Sequence, residues 1–435
     1  MDHRDQGLRR ELGTRDLTLF AIASIVGVRW VAAAAHAGTG SILLWLLAAM
    51  FFLIPLANAV ATLTARDPGA GGLYLWAKRD FGPWHGFLAF WIYWLATVIW
   101  FPGAAMFYAG ASMSALGFVP GRGLLLAASL AMIWLALGAN MIGVRFGRWT
   151  GLLGTFGTWA MGVLFVIAAA LVWHRNGSAN AFVLMPGLSF DTMSFWASIA
   201  FGMTGIELAG MMGAEIRDPA TSIRQAARIS SVFTTLFYAA TTAALLVILP
   251  AARISDLNGL GQAAQHAGSI LGTTWMAPMV AGFVLFSAIG QFAGLGSAVA
   301  RMPFAAGADH LLPRFFAQVH PKWGTPYISM LVFGVLASAL LAAVQLGDTA
   351  QAAYETIVSL TVIAGFLPYL YVFGSAWREG QRWGVFAGGG VTAMALACAV
   401  IPGAEIHDVW LFEGKLALAT AALFLSASAV YRRRA

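Results

Sequence analysis

Two ionisable side chains sit deep inside otherwise apolar stretches of this chain. Arg29 lies in AIASIVGVRWVAAAAHAG and Glu207 in SIAFGMTGIELAGMMG. A charge at membrane depth costs several kcal/mol, so it is kept where it faces a cavity or a partner. A guanidinium offers a planar fork that fits a carboxylate. A buried carboxyl group can take up and release a proton. Both stretches are also interrupted: Gly27 stands beside Arg29, and Gly202 and Gly205 precede Glu207. Glycine in such helices often serves only close packing. Paired glycine-interrupted helices at matching places in two halves of a chain point instead to a solute site. Backbone that unwinds at membrane depth must line a cavity or bind something. The N–H groups freed at a half-helix N-terminus suit a carboxylate.

Those residues need elements to hold them, and the composition says which kind. Of 435 residues, 60% are hydrophobic and 10% charged, and mean hydropathy is +0.78. A soluble domain carries about 25% charged residues. Disorder is excluded by the same balance. A disulfide scaffold is excluded because Cys398 has no second cysteine to pair with. Long continuous apolar runs, rather than short alternating strands, predict an all-α polytopic membrane protein. Twelve runs are long enough to cross: 17–38, 41–64, 84–114, 124–141, 149–173, 192–214, 229–250, 274–300, 326–346, 354–376, 383–402 and 412–431. The connector 301–325 is expected to hold a short helix or to follow the membrane surface.

Orientation follows from lysine and arginine, which favour the cytoplasmic side. With a cytoplasmic N-terminus, twenty of these residues fall in cytoplasmic segments. Only Arg122, Arg175, Arg253 and Lys415 fall on the other side, and Arg29 lies within a span. Both termini are therefore expected in the cytoplasm, with the chain in the inner membrane. The net charge of +7 sits in short patches between apolar runs with no basic-aromatic module, so nucleic acid is not an expected partner. The basic loops are expected to touch anionic lipid of the bilayer.

Weaker candidates lie elsewhere. Trp94, Thr97, Gln291 and Leu295 are expected to line a cavity, although a lone neutral polar residue more often bonds between helices. Trp91, Trp94 and Trp100 form a candidate aromatic wall. Glu355 and Lys415, near span ends, are expected to reach toward water. No GxxxxGK[ST] loop, HExxH or CxxC occurs, so no cofactor or metal is expected, and no ATP-driven engine. No nucleophile and base converge, which argues against an enzyme. No filter or ring of charges argues for a channel.

Several stretches together resemble the amino acid–polyamine–organocation superfamily of secondary transporters, which share the LeuT-type fold. These are Pro68–Gly82 (PGAGGLYLWAKRDFG), Phe201–Glu207, Glu215–Pro219, the connector Arg301–Pro326 with Asp309, Leu312-Pro313 and Thr325-Pro326, and Phe366–Tyr371. The resemblance implies a 5+5 inverted repeat with broken helices 1 and 6, plus two C-terminal helices. It divides the chain into an N-terminal segment 1–16, repeats 17–173 and 192–376, and helices 11–12 over 383–431. It also implies a substrate, an amino acid or related small amine or carboxylate, held near the midplane by Val26, Gly27, Val28, Arg29, Phe201, Gly202, Met203, Thr204 and Gly205. Phe201 matches an aromatic lid and Glu207 a residue that handles protons. Arg29 replaces the last glycine of the family's helix-1 stretch. It either clamps a carboxylate or acts as a fixed internal cation that pairs with Glu207 or props the turn. Helix 5 (149–173) lacks the lysine that some relatives carry in place of sodium. Proton coupling or exchange therefore ranks above sodium symport. The runner-up is a polyamine or organocation carrier.

Overall fold

The computed structural model describes residues 12–68, 71–142, 147–183, 185–211, 213, 216–308, 312–345, 349–403 and 406–433. Arg4, Arg9, Arg10, Gly69, Ala70, Arg145, Glu215, Asp309 and Arg434 lie outside them.

The described chain is helical, as apolar runs of this length dictate when lipid leaves no backbone group a partner outside its own helix. In order come α1 Thr14–Ile25, α2 Arg29–His36, α3 Ser41–Arg66, α4 Leu73–Phe81, α5 Pro83–Ala115, α6 Arg122–Ile142, α7 Gly147–Asn176 and α8 Phe190–Phe201. Then follow α9 Glu207–Met211, α10 Pro219–Ile248, α11 Gly259–Leu271, α12 Met276–Ala308, α13 Tyr327–Val344, α14 Ala350–Arg378, α15 Arg382–Cys398 and α16 Val409–Arg432. Among the described residues, 9 helices are long and apolar enough to cross a membrane. The pair α1 and α2, bent by 53°, makes a tenth. The two remaining runs are the broken α8–α9 stretch and α15, a helix of 17 residues. The protein is a multi-pass membrane protein.

Helix starts carry the expected chemistry. Asp218 accepts from the Thr221 amide at 3.3 Å ahead of Pro219, and Asp408 accepts from the Leu411 amide at 2.9 Å. Such caps satisfy donors that the first turn leaves orphaned. The Asp218 carboxyl is held below its ordinary range by Thr221. On the side where α1 begins, Arg66 at the end of α3 binds Asp67, Asp80 and Glu379 at 2.9, 3.0 and 2.6 Å. That ties α3, α4 and the end of α14 together. On the same side Leu12 and Ile216 form an isolated parallel bridge, with the Arg217 amide donating to Leu12 O at 3.2 Å.

The connector 301–325 holds the expected short helix, Arg314–Ala317, and starts later because α12 runs on to Ala308. One expectation needs correction. Glu355 does not reach toward water. It is 9% exposed and accepts from Gln351 Nε2 at 3.2 Å. A local amide donor makes burial cheaper than a long reach past α14's own packing.

Candidate substrate site

The first break falls at Val26, Gly27 and Val28. The chain leaves α1 with Val26 in an extended conformation and re-enters helix at Arg29. The freed carbonyls find side chains. Ile25 O accepts from the Tyr238 hydroxyl at 2.8 Å, and Val26 O accepts from Gln291 Nε2 at 2.8 Å. The second break falls between Phe201 and Glu207. Gly205 adopts φ +124°, which a residue with a Cβ reaches only under strain. A Cβ there would also lie 3.0 Å from Ser24 O. Glycine at 205 therefore lets the second break lie against the end of α1.

The breaks face a shared cavity of about 250 Å³. From the first break and its flanks it is lined by Ser24, Val26, Gly27 and Trp30, and from the second by Phe201, Thr204, Gly205 and Glu207. Helix α5 contributes Tyr93, Thr97 and Trp100, α12 contributes Gln291 and Leu295, and α14 contributes Tyr369. The cavity extends along α1 as far as Phe20 and takes only Trp30 from α2. It leans toward the side where α1 begins. Phe201 stands against Trp30 with centroids 5.3 Å apart, and against Phe366 at 5.9 Å.

Glu207 is 5% exposed and fully engaged. Oε1 accepts from the Tyr93 hydroxyl at 3.0 Å, Oε2 accepts from the Gly205 amide at 2.8 Å, and Tyr369 also bonds it. The carboxylate thus joins the second break to α5 and α14. No ion pair joins it to Arg29 among the described residues.

Of the residues singled out in the sequence, Val28, Arg29, Gly202, Met203, Trp91 and Trp94 do not line the cavity. Trp94 is buried, and its neighbour Trp91 donates to Ser426 Oγ on α16 at 2.9 Å. Helical spacing accounts for this. At about 100° per residue, Trp91 and Trp100 point to opposite faces of α5, and Trp94 stays near Trp91's face. Tyr93, Thr97 and Trp100 follow the i, i+4, i+7 stripe that faces the cavity. The Thr97 hydroxyl itself donates to Trp94 O at 2.6 Å, within its own helix.

Tyr238 on α10 was invisible as a site residue. Its hydroxyl accepts from the Gly27 amide at 2.8 Å and has Gly202 O as a further acceptor at 3.1 Å. Trp45 stacks on its ring at 4.1 Å and 8°. The signal available was a lone phenol inside an apolar span, since a buried hydroxyl of this kind finds a polar partner.

Two broken helices that meet at a small cavity within an all-helical apolar bundle are the arrangement of a membrane transporter. The chain belongs to the amino acid permease family, whose profile matches residues 12–400. It is 24% identical over 382 residues to a probable agmatine/putrescine antiporter of Lactococcus lactis, covering 85% of this chain and 80% of that one. It is 27% identical over 345 residues to a serine/threonine exchanger of Bacillus subtilis, covering 76% of each. An uncharacterised transporter of Legionella pneumophila is 23% identical over 377 residues, covering 85% of this chain and 81% of the relative.

Proposed function

We propose that the chain is a secondary carrier that moves an amino acid, or a closely related small amine or carboxylate, across the cytoplasmic membrane by alternating access. The observation that carries this reading is the cavity of about 250 Å³ between the two breaks. It is below the range that drug-sized ligands occupy, about 300–1,000 Å³, and suits a metabolite. Val26, Gly27, Phe201, Thr204 and Gly205 hold the solute there, with Gln291, Leu295, Thr97 and Trp100 as walls. Phe201 moves as a lid, and Glu207 exchanges a proton as Tyr93 and Gly205 release it.

In this reading the chain crosses the membrane twelve times. Segments 17–173 and 192–376 form two inverted five-helix repeats of the LeuT type, and 383–431 adds two helices. Both termini are cytoplasmic, and the cavity, leaning toward the start of α1, is inward-facing. The names of two relatives support two substrate classes, amino acids and diamines. The amino acid reading is favoured because Glu207, the carboxylate of the cavity lining, already accepts from Tyr93, Tyr369 and the Gly205 amide, so a second ammonium group would meet a carboxylate largely engaged within the protein.

Counterflow in proteoliposomes tests it. Vesicles holding the purified protein are loaded with single amino acids or polyamines and offered traces of labelled solute. Saturable uptake driven by one loaded solute supports a carrier and sets its class. Flux that rises linearly with concentration, without stimulation from the far side, would mean a channel and overturn the reading.

A further inference from the structure

Arg29 is 1% exposed, and its Nε, Nη1 and Nη2 all lack a hydrogen-bond partner among the described residues. Its faces meet two rings: the guanidinium carbon lies 3.9 Å from the Trp30 ring centroid and 5.2 Å from that of Trp100. Such contacts offset only part of the desolvation penalty of a buried ion. Ring faces also leave the five N–H donors empty, because these lie in the guanidinium plane. The Tyr238 hydroxyl is committed to the two breaks.

The packing around it is tight. A Cβ at Gly103 would lie 3.3 Å from Nη1 and 2.8 Å from Ile357 Cγ2, so the cation rests against bare backbone of α5, and room for a ligand opens only when the helices around it move apart. Trp30 and Trp100 line the cavity and Arg29 does not. One layer of indole therefore separates the cation from the solute space.

We propose that Arg29 is an anion-binding site beside the cavity, taking a small monoanion: a free halide, or the carboxylate of the transported solute. Such an anion fills the in-plane donors through charge-assisted bonds. Trp30 follows Arg29 on α2, so a swing of α2 against α5 uncovers the guanidinium toward the cavity. The carboxylate source rests on the carrier reading above; the halide source does not.

The test uses the full-length protein in detergent, in a bulky sulfonate buffer free of halide and small carboxylates. Sodium chloride, sodium acetate, amino acids and their uncharged-carboxamide analogues are titrated separately at fixed ionic strength. Tryptophan emission and the thermal midpoint are read. A saturable response to chloride and acetate, weakened about tenfold or more in Arg29→Gln and less in Arg29→Lys, supports a free-anion site. A response confined to amino acids, absent with the carboxamides and lost in Arg29→Gln, supports the solute carboxylate. No saturable response to any of them in the wild type overturns the proposal, as does an unchanged response in Arg29→Gln. Where Arg29→Gln does not fold, Gly103→Ala crowds Nη1 and is expected to weaken the response; an undiminished one overturns the site. Counterflow on the same preparations separates these results from failure of the carrier reading, because uptake can persist without the anion site.

Discussion

The hydroxyl of Tyr238 lies 2.8 Å from the amide nitrogen of Gly27 and accepts its hydrogen bond. The same oxygen lies 2.8 Å from Ile25 O and 3.1 Å from Gly202 O. One phenol on α10 thus holds both unwound segments in register. A buried donor or acceptor left without a partner costs about 1–3 kcal/mol.

Tyr238→Phe keeps the ring and its stack on Trp45 but removes that oxygen. It is expected to destabilise the protein by about 2–4 kcal/mol, since the Gly27 amide and Ile25 carbonyl both lose a partner. Thermal unfolding in detergent reads this. A midpoint equal to the wild type's would mean that the breaks hold without the phenol.

Gly205→Ala is expected to abolish counterflow and to cost about 1–3 kcal/mol, because its φ of +124° strains any side chain. Gly282→Ala is the matched control. A Cβ there meets nothing within 4 Å, and α12 gains up to about 1 kcal/mol of helix propensity. Equal behaviour of the two variants would show that the second break needs no glycine.

Glu207→Gln replaces one of two acceptor oxygens with an NH₂ group, so either Tyr93 or the Gly205 amide loses its acceptor. Counterflow is expected to lose its dependence on pH between mildly acid and mildly alkaline conditions. The comparison is with the wild type in the same vesicles. A profile in the variant that tracks the wild type's would remove Glu207 from proton exchange.

Asp218→Ala removes the cap of α10. The carboxyl is held below its ordinary value when folded, so its stabilisation is present above about 4 and is lost as pH falls further. The variant is expected to melt below the wild type at neutral pH, with the gap closing in acid. A gap that stays constant with pH would place the effect on the backbone instead of the charge.

Much of the architecture was legible because lipid forces one answer on a long apolar run. Each expected run coincides with a helix or with a broken pair, and both breaks fall at the glycines Gly27 and Gly202 to Gly205. Side-chain direction was legible only where helical phase was worked through. The stripe Tyr93, Thr97, Trp100 follows from periodicity, whereas Trp94 was assigned by type alone and points away. The setting of Arg29 was not legible at all. Its neighbours Trp100, Gly103 and Ile357 come from segments about 70 and 330 positions along the chain, and only the packed bundle brings them together. Tyr238 reaches across 211 positions to Gly27 for the same reason.

The short backbone bridge between Leu12 and Ile216 lies on the side of the bundle where α1 begins, the side toward which the cavity leans. It fastens the lead-in of α1 to the strip that follows α9. The two half-helices are thereby yoked like paired oars. In the carrier reading proposed above, a tilt of one hauls the other with it or shears the Arg217 to Leu12 bond, which makes release on that side one concerted stroke.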